Sequence, residues 1–447
     1  MRVQLKQTSP RNIRRPLAAA TCSLLTGVSH AGGLIASGNN WKIDSALMLY
    51  AEKDRVQLAE GVLQVGKEID DDEFVNVRMV ADVLTGASPN GAIPIDSAQT
   101  FTRPSGEGTY SAAANKTPLD TSFRDLRGAL NVEWDKPLST YQRGIFSASL
   151  SSEQDYLSTG IAATFAQDLN QRNTTLTFGL SYNRDSVMPQ GGVPVGLSTM
   201  PPFPATKTTT GSSKTKNVAE ALFGITQVIS RQSLMQLNYS WGKSNGYLTD
   251  PYKILSVLDS NLSGDLRASN PYVFEKRPDS RAYQSLYWKG VHQFANENVL
   301  NLSYRYFWDD WGIQSHTVDV RYRFDFKAHH YLQPHLRYYQ QGKADFYRQV
   351  LIDGEETTLA AASADYRLGE FVTRTIGLKY GYEFKNGAEI NFRMEVITQK
   401  GKDQAADAVG KLQNQQLFPN NEAYLLQAGV SLDSDILMKV LRGLFNY

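Results

Sequence analysis

The sequence predicts an all-β fold, a transmembrane antiparallel up-and-down β-barrel of sixteen strands, and three observations lead there. Apolar residues recur at every second position in paired runs. Leu300, Leu302, Tyr304, Tyr306 and Trp308 alternate with Asn301, Ser303, Arg305 and Phe307; after a short break, Val318, Val320, Tyr322, Phe324 and Phe326 alternate with Thr317, Asp319, Arg321, Arg323 and Asp325. Such a period describes a hairpin with one oily and one ionic face. The runs approach the roughly 9 to 11 residues that a tilted strand needs to cross a bilayer. Aromatic residues mark both ends, Trp308 and Trp311 at the tip and Phe324 and Phe326 at the base, as membrane girdles do. Finally, the connections sort by length. Every long loop falls after an odd-numbered strand, while the turns after even-numbered strands are short. With the N-terminus in the periplasm, this places short turns inside and long loops outside.

Taken in order, strands are predicted at 41–50, 56–65 and 75–83, before a loop over 85–122 rich in Gly, Pro, Ser, Thr and Asn. Strands at 126–134, 140–150, 157–165 and 175–183 precede a Pro-containing loop at 186–216. The eighth and ninth strands, 218–229 and 234–241, lead to a loop at 247–281, and the tenth, 283–294, alternates poorly. The hairpin described above supplies two more. A thirteenth at 332–341 contains Pro334, whose missing donor requires an interruption of the ladder. After a loop at 343–373, strands at 376–384 and 390–396 flank the turn signal Asn386-Gly387. A last loop at 401–421 precedes the sixteenth strand, 424–432. Residues 433–447 read two ways, as a closing strand ending in an aromatic or as a short C-terminal helix, with a slight preference for the helix.

Composition agrees with a barrel. Hydrophobic residues make up 41% and mean hydropathy is −0.38, yet there are 23 Tyr and 19 Phe. No run of about 18 apolar residues is available for a membrane-spanning helix. Arg2, Lys6, Arg11, Arg14 and Arg15 precede an apolar stretch and then Ser29-His30-Ala31, which predicts a signal peptide over residues 1–31 and a barrel over 32–447. Export places the barrel in the outer membrane of a Gram-negative bacterium, in contact with its lipid. Cys22 is the only cysteine and lies in the signal segment, so no disulfide or thiolate site is expected. Removing that segment leaves 41 basic against 45 acidic residues. A weakly acidic chain is a poor nucleic-acid binder.

Several segments together resemble one family of bacterial outer-membrane proteins, DUF3570. They are Trp41-Lys42-Ile43-Asp44-Ser45-Ala46-Leu47 with Glu52-Lys53-Asp54-Arg55-Val56, and Asp82-Val83-Leu84-Thr85-Gly86-Ala87-Ser88-Pro89-Asn90-Gly91-Ala92. Ser152-Glu153-Gln154-Asp155-Tyr156 and Arg277-Pro278-Asp279-Ser280-Arg281 add to them. The resemblance implies an outer-membrane barrel and an envelope redox or cofactor-handling setting. The partners it implies are a small lipoprotein and periplasmic thioredoxin-like or flavinylated proteins. It brings no catalytic residues.

Candidate site residues follow from the ionic faces. Arg305, Asp319, Arg321, Arg323, Asp325, Arg337, Lys379, Glu383, Glu389, Arg393 and Glu395 are predicted to line the lumen, where they either set a selectivity field or pair across strands. Asp82, Gly86, Pro89, Asn90 and Gly91 mark either a constriction or plug loop or an ordered external turn. Arg277 and Arg281 offer an anion site or pair with Asp279. Asp70 to Glu73 read as a solvated turn, and His329, His330 and His335 do not complete a metal site. No nucleophile with a nearby base is apparent, so neither an enzyme nor a cofactor is expected. The expected function is a porin-like channel for a small polar or ionic solute; the alternative is a non-conducting barrel that scaffolds the lipoprotein or a redox partner.

Overall fold

The computed structural model describes residues 41–434, apart from 87–88, 104–107, 121–123 and 403–407. The predicted signal peptide and the strand-or-helix alternative at the C-terminus lie outside the described residues. The elements in chain order are β1 (Trp41–Glu52), β2 (Gln57–Asp70), β3 (Glu73–Thr85), β4 (Gln99–Thr102), β5 (Thr109–Ala112), β6 (Arg124–Ser139) and β7 (Gln142–Ser152). Then come β8 (Tyr156–Leu169), β9 (Thr174–Val187), β10 (Lys214–Ser230), β11 (Ser233–Gly246), β12 (Ile254–Leu258), β13 (Tyr272–Phe274) and β14 (Ser280–Gln293). The remainder are β15 (Val299–Asp309), β16 (Gln314–Lys327), β17 (His330–Gln341), β18 (Val350–Ile352), β19 (Phe371–Glu383), β20 (Glu389–Gly401) and β21 (Asn421–Asp433).

Sixteen of these form one closed barrel, each pairing with its neighbours in chain order; β4, β5, β12, β13 and β18 stand outside it. The seam joins β1 to β21 antiparallel, from Lys42 opposite Asp433 to Glu52 opposite Ala423, so the sheet has no free edge. All sixteen predicted strands are present, and those of the barrel run for 11 to 17 residues. Even the poorly alternating tenth forms, as β14. The β16–β17 ladder runs to Arg321 opposite His335 and resumes at Phe324 opposite Leu332, so the break falls at Pro334. At the Asn386-Gly387 turn, Gly387 takes φ +90° and the Asn386 side chain accepts from the Ala388 amide at 3.2 Å.

The two faces separate as the period demands. Ile376 is 67% exposed on the outer surface, beside Val396 and Leu336 on the flanking strands. Leu126, Ile161 and Met394 are similarly bare. A continuous apolar outer band over strands of this length is a lipid-facing surface. Inward positions carry the polar set. One aromatic departs from its predicted place: Trp311 is buried rather than in a lipid girdle. Its indole donates to the Ser280 carbonyl at 2.8 Å and meets Phe346 edge-on at 5.0 Å.

Trp311 belongs to a layer that the strand pattern does not anticipate. The long loops do not hang free; they fold together as a cap over the outer mouth. β12, from the loop after β11, pairs antiparallel with β13 and in parallel with β18 from the loop after β17. Every residue of β12 is buried. Ile93, Leu258, Val350, Leu412 and Leu417 form one core drawn from four loops, and Leu255, Val257, Val273 and Leu351 form a second. Residues 89–92, the end of the Asp82–Ala92 motif, form a corner of this cap. The Ile254 amide donates to the Asn90 carbonyl at 2.8 Å and the Lys253 ammonium to the Pro89 carbonyl at 2.6 Å. Gly91, at φ +103°, has room for no side chain, because a Cβ would lie 2.1 Å from the Ile254 carbonyl oxygen.

Two outcomes are expected. Gly91→Ala combines positive φ with a backbone clash, a strain of at least about 1 to 3 kcal/mol. Limited proteolysis should then cut the cap while the barrel keeps its heat-modifiable migration on gels. Ile376→Lys, near the middle of β19, should destabilise the barrel by about 2 to 4 kcal/mol, the range for a lysine at the bilayer midplane, read from urea unfolding in lipid.

Candidate functional site: the charged lumen and its cap

The pleat sends alternate residues of each strand inward, and strand registers place the eleven predicted lumen charges on that face. On β16, β17, β19 and β20 they form two groups. Nearer the periplasmic turns, Arg323 pairs with Glu383 at 2.6 Å and with Asp325 at 3.4 Å. Its guanidinium also stacks 3.8 Å from the ring centre of Tyr331. Tyr331 donates to Glu389 at 2.6 Å, and Lys379 reaches the same carboxylate at 3.4 Å. Gly381 makes this possible, since a Cβ there would sit 2.1 Å from the Tyr331 ring.

Higher in the lumen His335 bridges two carboxylates, with Nε2 2.8 Å from Asp319 and Nδ1 2.9 Å from Glu395. Arg321 flanks Asp319 at 3.2 Å and Arg393 flanks Glu395 at 3.6 Å. The sequence groups His335 with His329 and His330. The structure separates them: His330 faces outward and bonds to Tyr380 at 2.7 Å. Most of the lumen charge is therefore internally paired.

Some is not. Among the described residues, Lys289, Arg305 and Arg337 have no carboxylate within ion-pair distance, and Asp44, Glu133 and Glu220 have no cation. These cations lie on β14, β15 and β17 and these carboxylates on β1, β6 and β10, but the two signs are not segregated. β10 is two strands from β14, whose Tyr283 donates to Glu220 at 2.8 Å, and among the described residues the inward Arg78 of β3 also lacks an ion pair. The unpaired cations include Lys289, which is not among the predicted residues because β14 alternates poorly.

Asp82 is also a lumen residue, paired with Arg127 at 2.7 Å, rather than part of the loop that follows it. Gly86 and Asn90 line a cavity of about 450 Å³ in the cap. A second cavity, of about 500 Å³, lies on the inner side, lined by the inward-facing Tyr156, Lys216, Ser244 and Arg281 of the barrel. The two share Asp250, Pro251, Tyr252 and Arg367, which make up the septum between them. Tyr252 is tied to the barrel rim by its hydroxyl, which donates to Asp155. Asp155 sits with Asp125 and Glu153, whose carboxylates approach one another at that rim.

At the septum six ionisable groups meet, Asp250 and Arg367 of the septum itself with Lys253, Glu275, Arg277 and Asp365. Arg277 lies 2.7 Å from both Glu275 and Asp365, while Arg367 lies 2.5 Å from Asp365 and 2.8 Å from Asp250. The expected alternatives for Arg277 and Arg281 are an anion site or pairing with Asp279. The structure gives neither, because Arg277 is committed to this cluster and Arg281 to Asp309 at 2.5 Å. The cluster escapes a sequence reading because its ion pairs join residues up to 117 apart in sequence; only Asp250-Pro251 and Arg277-Pro278 hint at it.

The cluster's electrostatics have opposite signs at two carboxylates. Burial by itself would raise Asp365, but Arg367, Lys253 and Arg277 outweigh it and hold Asp365 well below the usual carboxylate range. At Glu275 burial wins; with Asp250 and Asp365 nearby it outweighs Arg277 and pushes the carboxyl up. Asp365 therefore stabilises the cap fully above its unfolded value of about 4 and loses that contribution as the pH falls below it. Glu275 contributes fully below about pH 4 and loses it as the pH rises through its elevated folded value. Burial would raise Asp250 as well, but Lys253, Arg367 and Arg277 hold it down in the same sense as Asp365, so the cap's resistance to pepsin should fall as the pH drops below about 4, and Asp365→Asn should reduce that acid step. The same variant should weaken the cap by about 3 to 5 kcal/mol at neutral pH, the range for breaking a buried ion pair, read by hydrogen exchange at β12.

A family model described as a protein of unknown function, DUF3570, matches residues 15–432. No curated protein matches the chain. Among solved structures, it is similar to the ferric enterobactin receptor PfeA of Pseudomonas aeruginosa, at 11% identity over 87% of this chain and 60% of that one, TM-score 0.42. It is also similar to the siderophore receptor PirA of Acinetobacter baumannii, at 9% identity over 82% and 54%, TM-score 0.40. The outer membrane protein OpdK of Pseudomonas aeruginosa is similar at 10% identity over 88% and 98%, TM-score 0.39. The chain spans about three fifths of the length of the siderophore receptors it matches. Likenesses this distant carry no ligand across, and the barrel stands on its own strand pairing. The family model covers nearly all of the described barrel and its cap, and the chain belongs to the DUF3570 family.

Proposed function

We propose that this barrel is a channel of the Gram-negative outer membrane that passes a small polar or ionic solute from the outer cavity, past the septum, into the charged lumen. The single observation that supports the reading most is the placement of two cavities in series. One lies in the cap and one against the barrel wall, and they are divided by three consecutive residues and Arg367. Below them, Lys289, Arg305 and Arg337 of β14, β15 and β17 line the lumen without carboxylate partners among the described residues. Uncompensated charge on a pore wall sets the sign of ion it favours. In this reading Pro89, Asn90 and Gly91 constrict the mouth by holding β12, and through it the septum, in place.

A second reading keeps the barrel and removes the flow. The buried core of the cap favours it, because loops packed this well can close a mouth. A closed barrel would act from its periplasmic side, scaffolding a small lipoprotein or a thioredoxin-like or flavinylated partner.

Conductance in a planar bilayer decides between the two. The channel reading expects ohmic steps, with anion preference reduced or reversed by Arg305→Glu with Arg337→Glu. Replacing Tyr252 with Ala, which frees the septum from Asp155, should raise single-channel conductance about twofold or more if the septum is the narrowest point. A folded, heat-modifiable barrel that passes no current, with or without Tyr252→Ala, would leave the scaffold reading standing.

A further inference from the structure

The outer cavity has an unusual pairing of surfaces for a channel entrance. Its walls are largely apolar: Met200, Pro201, Phe203 and Pro204 come from one loop, and Ile254 and Phe274 from β12 and β13. Phe203 is half exposed at its edge. Four cations line the same space; Lys253 and Arg367 belong to the ionic cluster at the septum, and Arg103 and Lys207 stand apart from it. Among the described residues, neither has a carboxylate partner. The Lys207 ammonium donates to the Gln190 carbonyl at 3.2 Å and lies 5.9 Å from the Phe274 ring centre. Burial pulls its pKa down, so the apolar surroundings leave its charge poorly solvated.

The carboxylates in the wall do not offset those cations. Asp250 is bound by Arg367 at 2.8 Å and accepts from the Tyr252 amide at 3.0 Å. Asp120 is buried at 5% exposure and already partnered. The charge left for an incoming molecule is positive. A volume of about 450 Å³ matches a small organic molecule. Beyond the septum, Arg305, Arg337 and Lys289 of the lumen wall also lack carboxylate partners among the described residues.

From this geometry we infer that the outer cavity is a binding site for a small organic anion with an apolar body, of the aromatic or aliphatic carboxylate class. Arg103 and Lys207 hold the carboxylate, and the Met200–Pro204 wall covers the body. The pairing is selective in both directions. An inorganic anion forfeits the apolar contact, and a neutral isostere leaves both cations unpaired. The inference deepens the channel reading and rests on it for the onward passage of the anion, not for its binding.

The test uses the purified full-length barrel in detergent and 2-naphthoate as the probe, with 2-naphthalenemethanol as its neutral isostere, each titrated by calorimetry. Saturable binding of naphthoate at one site per chain is expected, with the alcohol at least about tenfold weaker. Arg103→Gln and Lys207→Gln should each weaken naphthoate about tenfold or more. Phe203→Ala should weaken both probes. Equal binding of the two probes, or naphthoate affinity untouched in the Arg103→Gln and Lys207→Gln double variant, would overturn the site. Bilayer recordings on the same samples separate the two claims. Selective naphthoate binding by a barrel that passes no current upholds the site and sinks the channel. Current without selective binding does the reverse.

Discussion

Everything in this molecule depends on closing a ring of backbone hydrogen bonds where no water is present to replace them. In hydrocarbon an unpaired N–H or C=O costs several kcal/mol, so a sheet survives there only without edges. The contact of β1 with β21 meets that condition, because it converts fifteen consecutive hairpin pairings into a ring. The segregation of side chains is then automatic, since period-two pleating presents one set to lipid and the other to the lumen. The lumen charges owe their positions to this constraint before any question of function arises.

The same constraint explains what was legible in the sequence. Strands in a ring must all alternate and must be long, so Leu300 to Trp308 and Val318 to Phe326 announced themselves, and even Pro334 revealed its ladder interruption. β14 was harder because aromatics occupy both faces, with inward Tyr283 and Tyr287 beside outward Leu286 and Trp288. The cap was illegible for a different reason. β12, β13 and β18 are only 5, 3 and 3 residues long, too short to carry a period, and β12 meets β18 across about ninety residues of chain. The ion pairs at the septum are equally remote, and Trp311 looked like a lipid anchor because its partners, Phe346 and Leu368, lie far along the chain.

The lumen and the cap handle charge differently. In the lumen, exposed to water, pairs such as Arg323 with Glu383 are interspersed with groups that have none, and surplus charge is tolerable because solvent screens it. In the cap, three carboxylates and three cations meet around the buried Lys253, Glu275 and Asp365, and their balance keeps those three from being isolated buried charges. The outer cavity is the exception within the cap. Its Arg103 and Lys207 lack the compensation that the six-residue cluster provides nearby.

The parallel pairing of β12 with β18 also constrains the order of assembly. These strands belong to loops that leave the barrel after β11 and after β17, and the core they build draws in loops from β3 and β20 as well. Contacts so distant in sequence carry a large loop-closure entropy until the barrel wall has brought their ends together. The cap therefore consolidates after the ring closes. It is a late folding event, formed on the far side of the membrane from loops that crossed without it.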